Sequence, residues 1–326
     1  MRVIVLGGTW FVGRAITGAL TAAGHAVLVV HRGVSEPADL PDVQHLHAER
    51  QAWPAHRDAL AAFGADAVID VSAGNAAGAR AALSAVPPGI RLVALSSADV
   101  YRACEALRDG AQTDAVPLTE ESALRATRHI EGPQWENLEI EEAYLAAEAT
   151  ILRLGAVYGE HDYQRRFEPV LRRVRAGRRQ LPVGTGSFLF SRVYAGDVAQ
   201  AVLAALASPR SAGECLNIVE AQTSPMRLFY EQVITAAGAS LELVQVPDRV
   251  LPPDLQDTAA LSQHLLASPA KARQMLGWHD TAGHHVLRRA VTWHLDHPPS
   301  DPDGDFSADD AALDAKDACD ESRDRA

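Results

Sequence analysis

The chain has 326 residues, 47% of them hydrophobic and 22% charged, with a net charge of −12; this supports one large domain or two closely joined ones and gives no ground for nucleic-acid or membrane-surface binding. Three scattered cysteines, Cys104, Cys215 and Cys319, form neither a metal spacing nor a disulfide framework, which points to a reducing, cytoplasmic setting. No apolar run reaches the roughly 18–20 residues of a membrane span, and the opening MRVIVLGG reads as a strand rather than a signal peptide.

In chain order, β-rich runs are predicted at Arg2–Leu6, Ala26–Val30, Val43–His47, Ala67–Val71, Leu92–Ser96 and Thr150–Leu154. Ala-rich segments with helical spacing, such as Phe11–Ala23 and His56–Phe63, lie between them. Strands that alternate with helices imply βαβ units and a parallel sheet, so residues 1–155 are expected to form a doubly wound α/β (Rossmann) domain. Several runs are apolar almost throughout, as strands covered on both faces are. After Gly155 the rhythm loosens. Helices are predicted at Gln134–Ala147 before that point and at Tyr163–Ala176, Gly196–Ala207, Pro225–Gly238, Pro269–Leu276 and His284–His297 after it. A loop is expected over Gly177–Phe190 and a strand over Cys215–Val219. Residues 156–297 are read as a smaller α/β substrate-binding cap interleaved with the first domain. Residues 298–326 hold ten acidic and three basic side chains among Pro, Ser and Ala, and are read as a disordered acidic tail.

The strongest motif is Gly7-Gly8-Thr9-Trp10-Phe11-Val12-Gly13. It follows a strand, opens a helix and sits inside a βαβ unit, the context in which glycines let a pyrophosphate approach bare backbone at a helix N-terminus. Gly7 permits the turn, a side chain at Gly8 would block the pyrophosphate, and Gly13 lets helix and strand pack. Trp10 stands where the middle glycine is usual. The second strand ends in His31-Arg32 with no carboxylate to accept the adenosine ribose. Arg32, with His31 beside it, therefore points to a 2′-phosphate and to NADP(H), with NAD as the alternative. Glu49 and Arg50 are placed at the adenine edge, and Asp70, Val71, Ser72 and Ala73 along the cofactor.

Five stretches, GGTWFVGRAI at 7–16, HRG at 31–33, LSSADVY at 95–101, ILRLGAVYGEHD at 151–162 and FSRVYAGDVAQAV at 190–202, give residues 1–297 a resemblance to the extended or atypical short-chain dehydrogenase/reductases of the NAD-dependent epimerase/dehydratase group. The resemblance implies a serine at the end of the fifth strand, matched by Ser97, and a Tyr-x-x-x-Lys pair on the following helix. Aligning that helix places Asn137 at the lysine position and Pro133 at the tyrosine position; no Tyr-x-x-x-Lys occurs in the chain, whose lysines are Lys271 and Lys316. Ser97, Tyr101 and Asn137 are the candidate catalytic residues, and Asp99, Arg192 and Tyr194 the candidate substrate contacts. Three readings stay open: a reductase or epimerase-like enzyme on a small polar metabolite or sugar nucleotide, a non-catalytic NADP-binding sensor, and an RNA-binding relative.

The arginine run from Arg165 to Arg179 is read as a solvated helix face, with an anionic substrate as the alternative. Of Glu136, Glu139, Glu141 and Glu142, Glu141 lies one helical turn from Asn137 and is placed near the site, Glu136 is a candidate substitute for the missing catalytic pair, and most of these glutamates are read as solvated. No metal site is expected: His161, His279, His284, His285, His294 and His297 read as packing or surface residues. The expected partner is a small molecule, without membrane or nucleic acid, and a homodimer is compatible with the sequence.

Overall fold

The computed structural model describes residues 1–111, 114–128, 135–281, 284–301 and 304–324. Six strands, β1 (Arg2–Leu6), β2 (Ala26–His31), β3 (Gln44–His47), β4 (Ala67–Asp70), β5 (Arg91–Ser97) and β6 (Thr150–Leu154), alternate with α1 (Phe11–Ala22), α2 (Arg57–Phe63), α3 (Ala76–Ala85), α4 (Arg102–Arg108) and α5 (Asn137–Leu145). Next come β7 (Ala156–Tyr158), α6 (Glu168–Arg175), β8 (Gln180–Val183), β9 (Arg192–Tyr194), α7 (Ala195–Ala207), β10 (Cys215–Ile218), α8 (Met226–Ala236) and β11 (Glu242–Gln245). The chain then runs through α9 (Ala270–Leu276), α10 (His284–Asp296) and α11 (Ser307–Asp324).

One parallel sheet of seven strands runs in the order β10-β6-β5-β4-β1-β2-β3. The chain leaves β1 toward β2 and β3, then crosses back to β4, so the strand order reverses between β1 and β4. A doubly wound sheet opens a ligand crevice at that reversal, outside the carboxyl ends of its strands. Alternate side chains of each strand feed two cores. Val3 and Val5 of β1 pack with Ile16 and Leu20 of α1 and with Val198 and Val202 of α7, whereas Ile4 and Leu6 pack with Leu60 and Phe63 of α2 and Ile140 of α5. Both faces are dry, which is why the strands are apolar along their length.

A third core lies outside the sheet. Phe167, Val170 and Leu171 meet Leu181, Val183, Phe229, Tyr230 and Val233, with the β8–β11 pair and α10 completing it. No helix among the described residues is long and apolar enough to cross a membrane.

Three predicted elements differ from the structure. Helix α6 starts at Glu168 rather than Tyr163, because the chain turns at Asp162, which accepts Gln164 N–H at 2.9 Å, and passes through φ +48° at Arg165. The loop predicted after it contains strand β8. The acidic segment from Pro298, expected to be disordered, carries α11. Composition counted too few apolar groups there but omitted what its carboxylates meet. Arg173, 0% exposed, donates Nε to Asp309 Oδ2 and Nη2 to Asp309 Oδ1, both at 2.6 Å, and Nη1 to Asp254 Oδ2 at 2.8 Å. Arg172 lies over the Phe306 ring at 4.8 Å, Arg178 reaches Asp310, and Ala312 is fully buried. Arg172 and Arg173 of α6 are thus not a solvated face but hold the C-terminal helix, whereas Arg175 pairs with Glu168 on its own helix.

Candidate active site

The glycine-rich turn is built by close approach. Gly7 sits at φ +91° and donates its N–H to Val30 O at 2.9 Å, tying the turn to β2. A Cβ on Gly7 would lie 2.5 Å from Ser72 Oγ, and one on Gly13 would lie 2.0 Å from the Gly7 carbonyl oxygen. At Gly8 the reason differs from the sequence reading: a Cβ there would meet Thr17 Oγ1 at 2.6 Å and Val5 and Val29 at 3.0 Å, so the protein interior requires this glycine. Thr17 Oγ1 donates to Gly8 O at 2.9 Å and fixes the turn on α1. Thr9 is buried, Val12 half-buried, and Phe11 is held at φ +39° with its ring inside the core. The N-cap of α1 is Trp10, whose side chain makes no cap hydrogen bond, and the first turn carries no acidic residue. Its leading N–H groups and positive dipole end are therefore open to an anion. Trp10, 57% exposed, sets its ring 5.1 Å from Tyr163, which also meets Phe11 edge-on.

The residues expected along the cofactor divide. Arg32 is exposed and no ion pair engages it among the described residues; Glu49 is exposed at the start of a 3-10 turn. Asp70 is not available to a ligand. It is 1% exposed, receives Arg50 Nη1 at 2.8 Å and Nη2 at 2.9 Å, accepts Ser72 N–H at 3.0 Å, and is bonded by the Tyr144 hydroxyl. Arg50 also donates to Ser72 Oγ at 2.8 Å and lies over Trp53 at 4.1 Å. Val71 is half-buried and Ala73 buried, so Ser72 is the residue this bend presents beside Gly7. His31 turns away from the turn into a group with Glu36, His45 and His47.

At the end of β5 the structure brings together Ser97, Asp99 and Asn137. Ser97 Oγ accepts Asp99 N–H at 3.2 Å, capping the short 3-10 turn Ala98–Val100. Asn137, the first residue of α5, donates Nδ2 to both Asp99 carboxylate oxygens at 2.9 Å. Tyr101 does not join them. Its ring is 0% exposed, its hydroxyl donates to Asn217 Oδ1 at 2.7 Å and accepts Arg153 Nη1 at 3.2 Å, and burial pushes its pKa up to about 12. The 3-10 turn rotates it into the core, which removes it as a catalytic candidate. Glu141 likewise leaves the site: it takes Arg153 Nε at 3.0 Å, Nη2 at 2.8 Å and Ser96 Oγ at 2.6 Å, all buried. Glu136 is buried, not solvated. Burial pushes its carboxyl up, but Arg125, bonded to both oxygens at 2.6 and 3.1 Å, holds it below the usual range. Pro133 lies outside the described residues. Lys271 pairs with Glu214 at 2.9 Å.

A cavity of about 600 Å³ opens beyond β10, lined among others by Tyr158, Arg192, Glu220, Phe229, Gln232 and Asp280. Arg192 is 5% exposed, with its guanidinium carbon 3.7 Å from the Phe229 ring centroid and Nη1 donating to Ser224 O at 3.3 Å. No carboxylate pairs with it among the described residues, and burial lowers its pKa to about 10. Burial pushes the Glu220 carboxyl up, with the Tyr158 hydroxyl donating to it at 2.7 Å. A buried guanidinium facing a cavity is suited to a substrate anion or polar oxygen. Ser97, Asp99 and Asn137 do not line this cavity. Tyr194 does not either: its hydroxyl donates to Glu160 Oε2 at 2.8 Å and is bonded by Arg289, a structural contact.

Among the C-terminal histidines, His294 is buried against Gly159 O at 3.0 Å and His297 stacks on Trp293, both packing roles. The group His31, Glu36, His45 and His47 was not anticipated. Its signal was present as His45-x-His47 on a predicted strand, since residues two apart share a face.

Residues 73–218 match the NAD dependent epimerase/dehydratase family. The chain is 31% identical over 274 residues to 2′-dehydrokanamycin reductase of Streptomyces kanamyceticus, covering 81% of this chain and 74% of that protein. It is 26% identical over 297 residues to the chloroplast stem-loop binding protein of 41 kDa b of Arabidopsis thaliana, covering 85% and 74%. Among solved structures, a putative epimerase from Burkholderia cenocepacia superposes with a TM-score of 0.71 at 22% identity, over 90% of this chain and 98% of that one. The NAD complex of dTDP-glucose 4,6-dehydratase from Bacillus anthracis gives 0.69 at 17%, over 91% and 97%. These two structures show the shared fold.

Proposed function

As the chain belongs to the NAD-dependent epimerase/dehydratase family, we propose that it is an NADP(H)-dependent reductase of a ketone on a small polar, sugar-like substrate. The observation that carries this reading is Ser97. Its hydroxyl stands at the carboxyl end of β5, accepts one N–H, and has no acceptor for its own proton among the described residues. It is therefore poised to donate to a substrate carbonyl oxygen. The 31% identity to a reductase supports the reaction class.

A reduced nicotinamide, held at the Gly7–Gly13 turn, would supply the hydride chemistry. The chain's part is to position and to polarise. Ser97 O–H would hydrogen-bond the carbonyl oxygen and draw charge onto it, and the proton that completes the alcohol would come from water. Asn137 clamps the Asp99 carboxylate, and Arg125 Nε donates to Asp99 O at 2.9 Å, so the turn that carries Ser97 is held from both ends. Arg192 lines the cavity beyond β10, where its guanidinium is offered to an anionic or oxygen-rich group.

NADP(H) is preferred because Arg32 forms no ion pair among the described residues and a 2′-phosphate would give it a partner. Replacing Arg32 by Ala should raise KM for NADPH about tenfold, ~1.4 kcal/mol, and leave NADH kinetics unchanged. An equal loss with both cofactors would remove Arg32 from the selectivity argument.

The reductase reading is tested by following NADPH oxidation across polar keto-sugars. Ser97→Ala should lower kcat/KM by at least about tenfold with NADPH affinity unaltered. Wild-type rates in that variant would sink the role of Ser97. The absence of a Tyr-x-x-x-Lys pair favours a second reading, a non-catalytic NADP sensor; it predicts tight NADPH binding with no turnover on any ketone. RNA binding draws no support from the arginine run, whose Arg166, Arg172, Arg173, Arg175 and Arg178 are already paired with carboxylates.

A further inference from the structure

We propose that a divalent transition metal ion, zinc first among them, binds between the ends of β2 and β3 on His45 Nδ1, His47 Nε2, a Glu36 carboxylate oxygen and His31 Nε2. The four donor atoms all lie within 4.8 Å of one another.

The backbone makes this convergence. His45 and His47 are two apart on β3 and so face the same way. His31, the last residue of β2, pairs in register with His47. The connection from β2 to β3 then folds back far enough to bring Glu36 among the three rings. His31 Nε2 stands 2.9 Å from His45 Nδ1 and 3.2 Å from Glu36 Oε1, His45 Nδ1 stands 4.0 Å from that oxygen, and His47 Nε2 contacts it directly. Metal–ligand bonds of roughly 2.0–2.1 Å in a tetrahedron put neighbouring donors about 3.3 Å apart, and the observed separations bracket that figure. The rings are inclined rather than stacked, at 72° for His31 with His45, 86° for His31 with His47 and 51° for His45 with His47, so their nitrogens point inward from different directions.

The donor chemistry selects the ion. Three imidazole nitrogens and one carboxylate suit zinc, nickel, cobalt or copper(II); they lack the all-oxygen shell of calcium or magnesium and the thiolates of a copper(I) site. His31 must change tautomer to engage. Its Nδ1 accepts the Gly33 N–H at 3.2 Å, which leaves the proton of the neutral ring on Nε2. Metal binding moves that proton to Nδ1 and releases the weak Gly33 contact, at a glycine held at φ +77°. His47 needs the same change, because its Nε2 donates to the Glu36 carboxylate; His45 Nδ1, which accepts from His31, and Glu36 need none.

The site would fasten the β2–β3 connection to an edge strand of the sheet. The same connection is held on its other side by the Asp39–Arg14 ion pair, and it carries Arg32 one residue after a ligand. The proposal does not depend on the reaction assigned above.

The test uses tag-free full-length protein stripped with a chelator and titrated with cobalt(II). One equivalent should produce the intense visible absorption of four-coordinate cobalt, one equivalent of zinc should discharge it, and zinc should raise Tm. A double variant, His45→Ala with His47→Ala, should lose the colour and the zinc-dependent rise in Tm. His45 and His47 are exposed on an edge strand, so this variant should keep the fold, checked by its metal-free Tm. Glu36→Gln should weaken cobalt binding, and His285→Ala, an exposed histidine elsewhere, should leave it unchanged. Pale six-coordinate cobalt alone, intense colour that persists in the double variant, or colour lost in His285→Ala would each overturn the proposal.

Discussion

Gly13→Ala is expected to abolish measurable NADPH binding and to destabilise the protein by about 3 kcal/mol. The new methyl would sit 2.0 Å from the Gly7 carbonyl oxygen and 3.0 Å from Gly8 Cα, so it meets backbone that cannot rotate aside. Overpacking of a tight interior costs roughly 1–3 kcal/mol, and a clash with backbone falls at the upper end. The relief available is to lift α1 away from β1, which also moves the N–H groups offered to the phosphates. Gly18→Ala is the control on the same helix. A Cβ there meets nothing within 4 Å, and alanine in a helix interior should stabilise by about 0.5–1 kcal/mol. Denaturant unfolding with calorimetric NADPH titration reads both quantities. If the two variants behave alike, close approach at the turn is not what Gly13 provides.

Removing Arg153 should be as damaging by a different route. Its guanidinium is the partner of Glu141, both side chains 4% exposed, on the strand beside the Ser97 turn. Arg153→Met leaves a carboxylate enclosed without a cation, which costs about 3–5 kcal/mol. Pairing it with Glu141→Leu should recover most of that loss, since two apolar groups of similar volume need no partner. An Arg153→Met chain as stable as the parent, or a double variant no better than the single one, would show that the pair is not the support described.

What could be read before the structure was local. The strand at Thr150–Leu154 and the strand–turn–helix at Gly7–Gly13 depend on neighbouring residues, and their patterns carried through. What could not be read depended on distant partners or on a side chain's direction. Asp70 looked like a cofactor contact until Arg50, 20 residues earlier, and Tyr144, 74 later, enclosed it. Tyr101, four residues after Ser97, was grouped with it by spacing, but the intervening 3-10 turn sends the ring into the core. The α6 arginines looked solvated because Asp254 and Asp309 lie 81 and 136 residues further along. The histidine group required the register of β2 on β3, which no periodicity gives.

Strand β10 has a consequence for how the molecule assembles. It completes the main sheet by pairing with β6, with Cys215 opposite Ile151, after the chain has passed through β7, α6, β8, β9 and α7. The edge of β6 therefore waits for a segment made much later, and high sequence separation between partners slows folding. The main sheet is complete only once β10 is in place, and a fragment cut before β10 should leave β6 as an open edge.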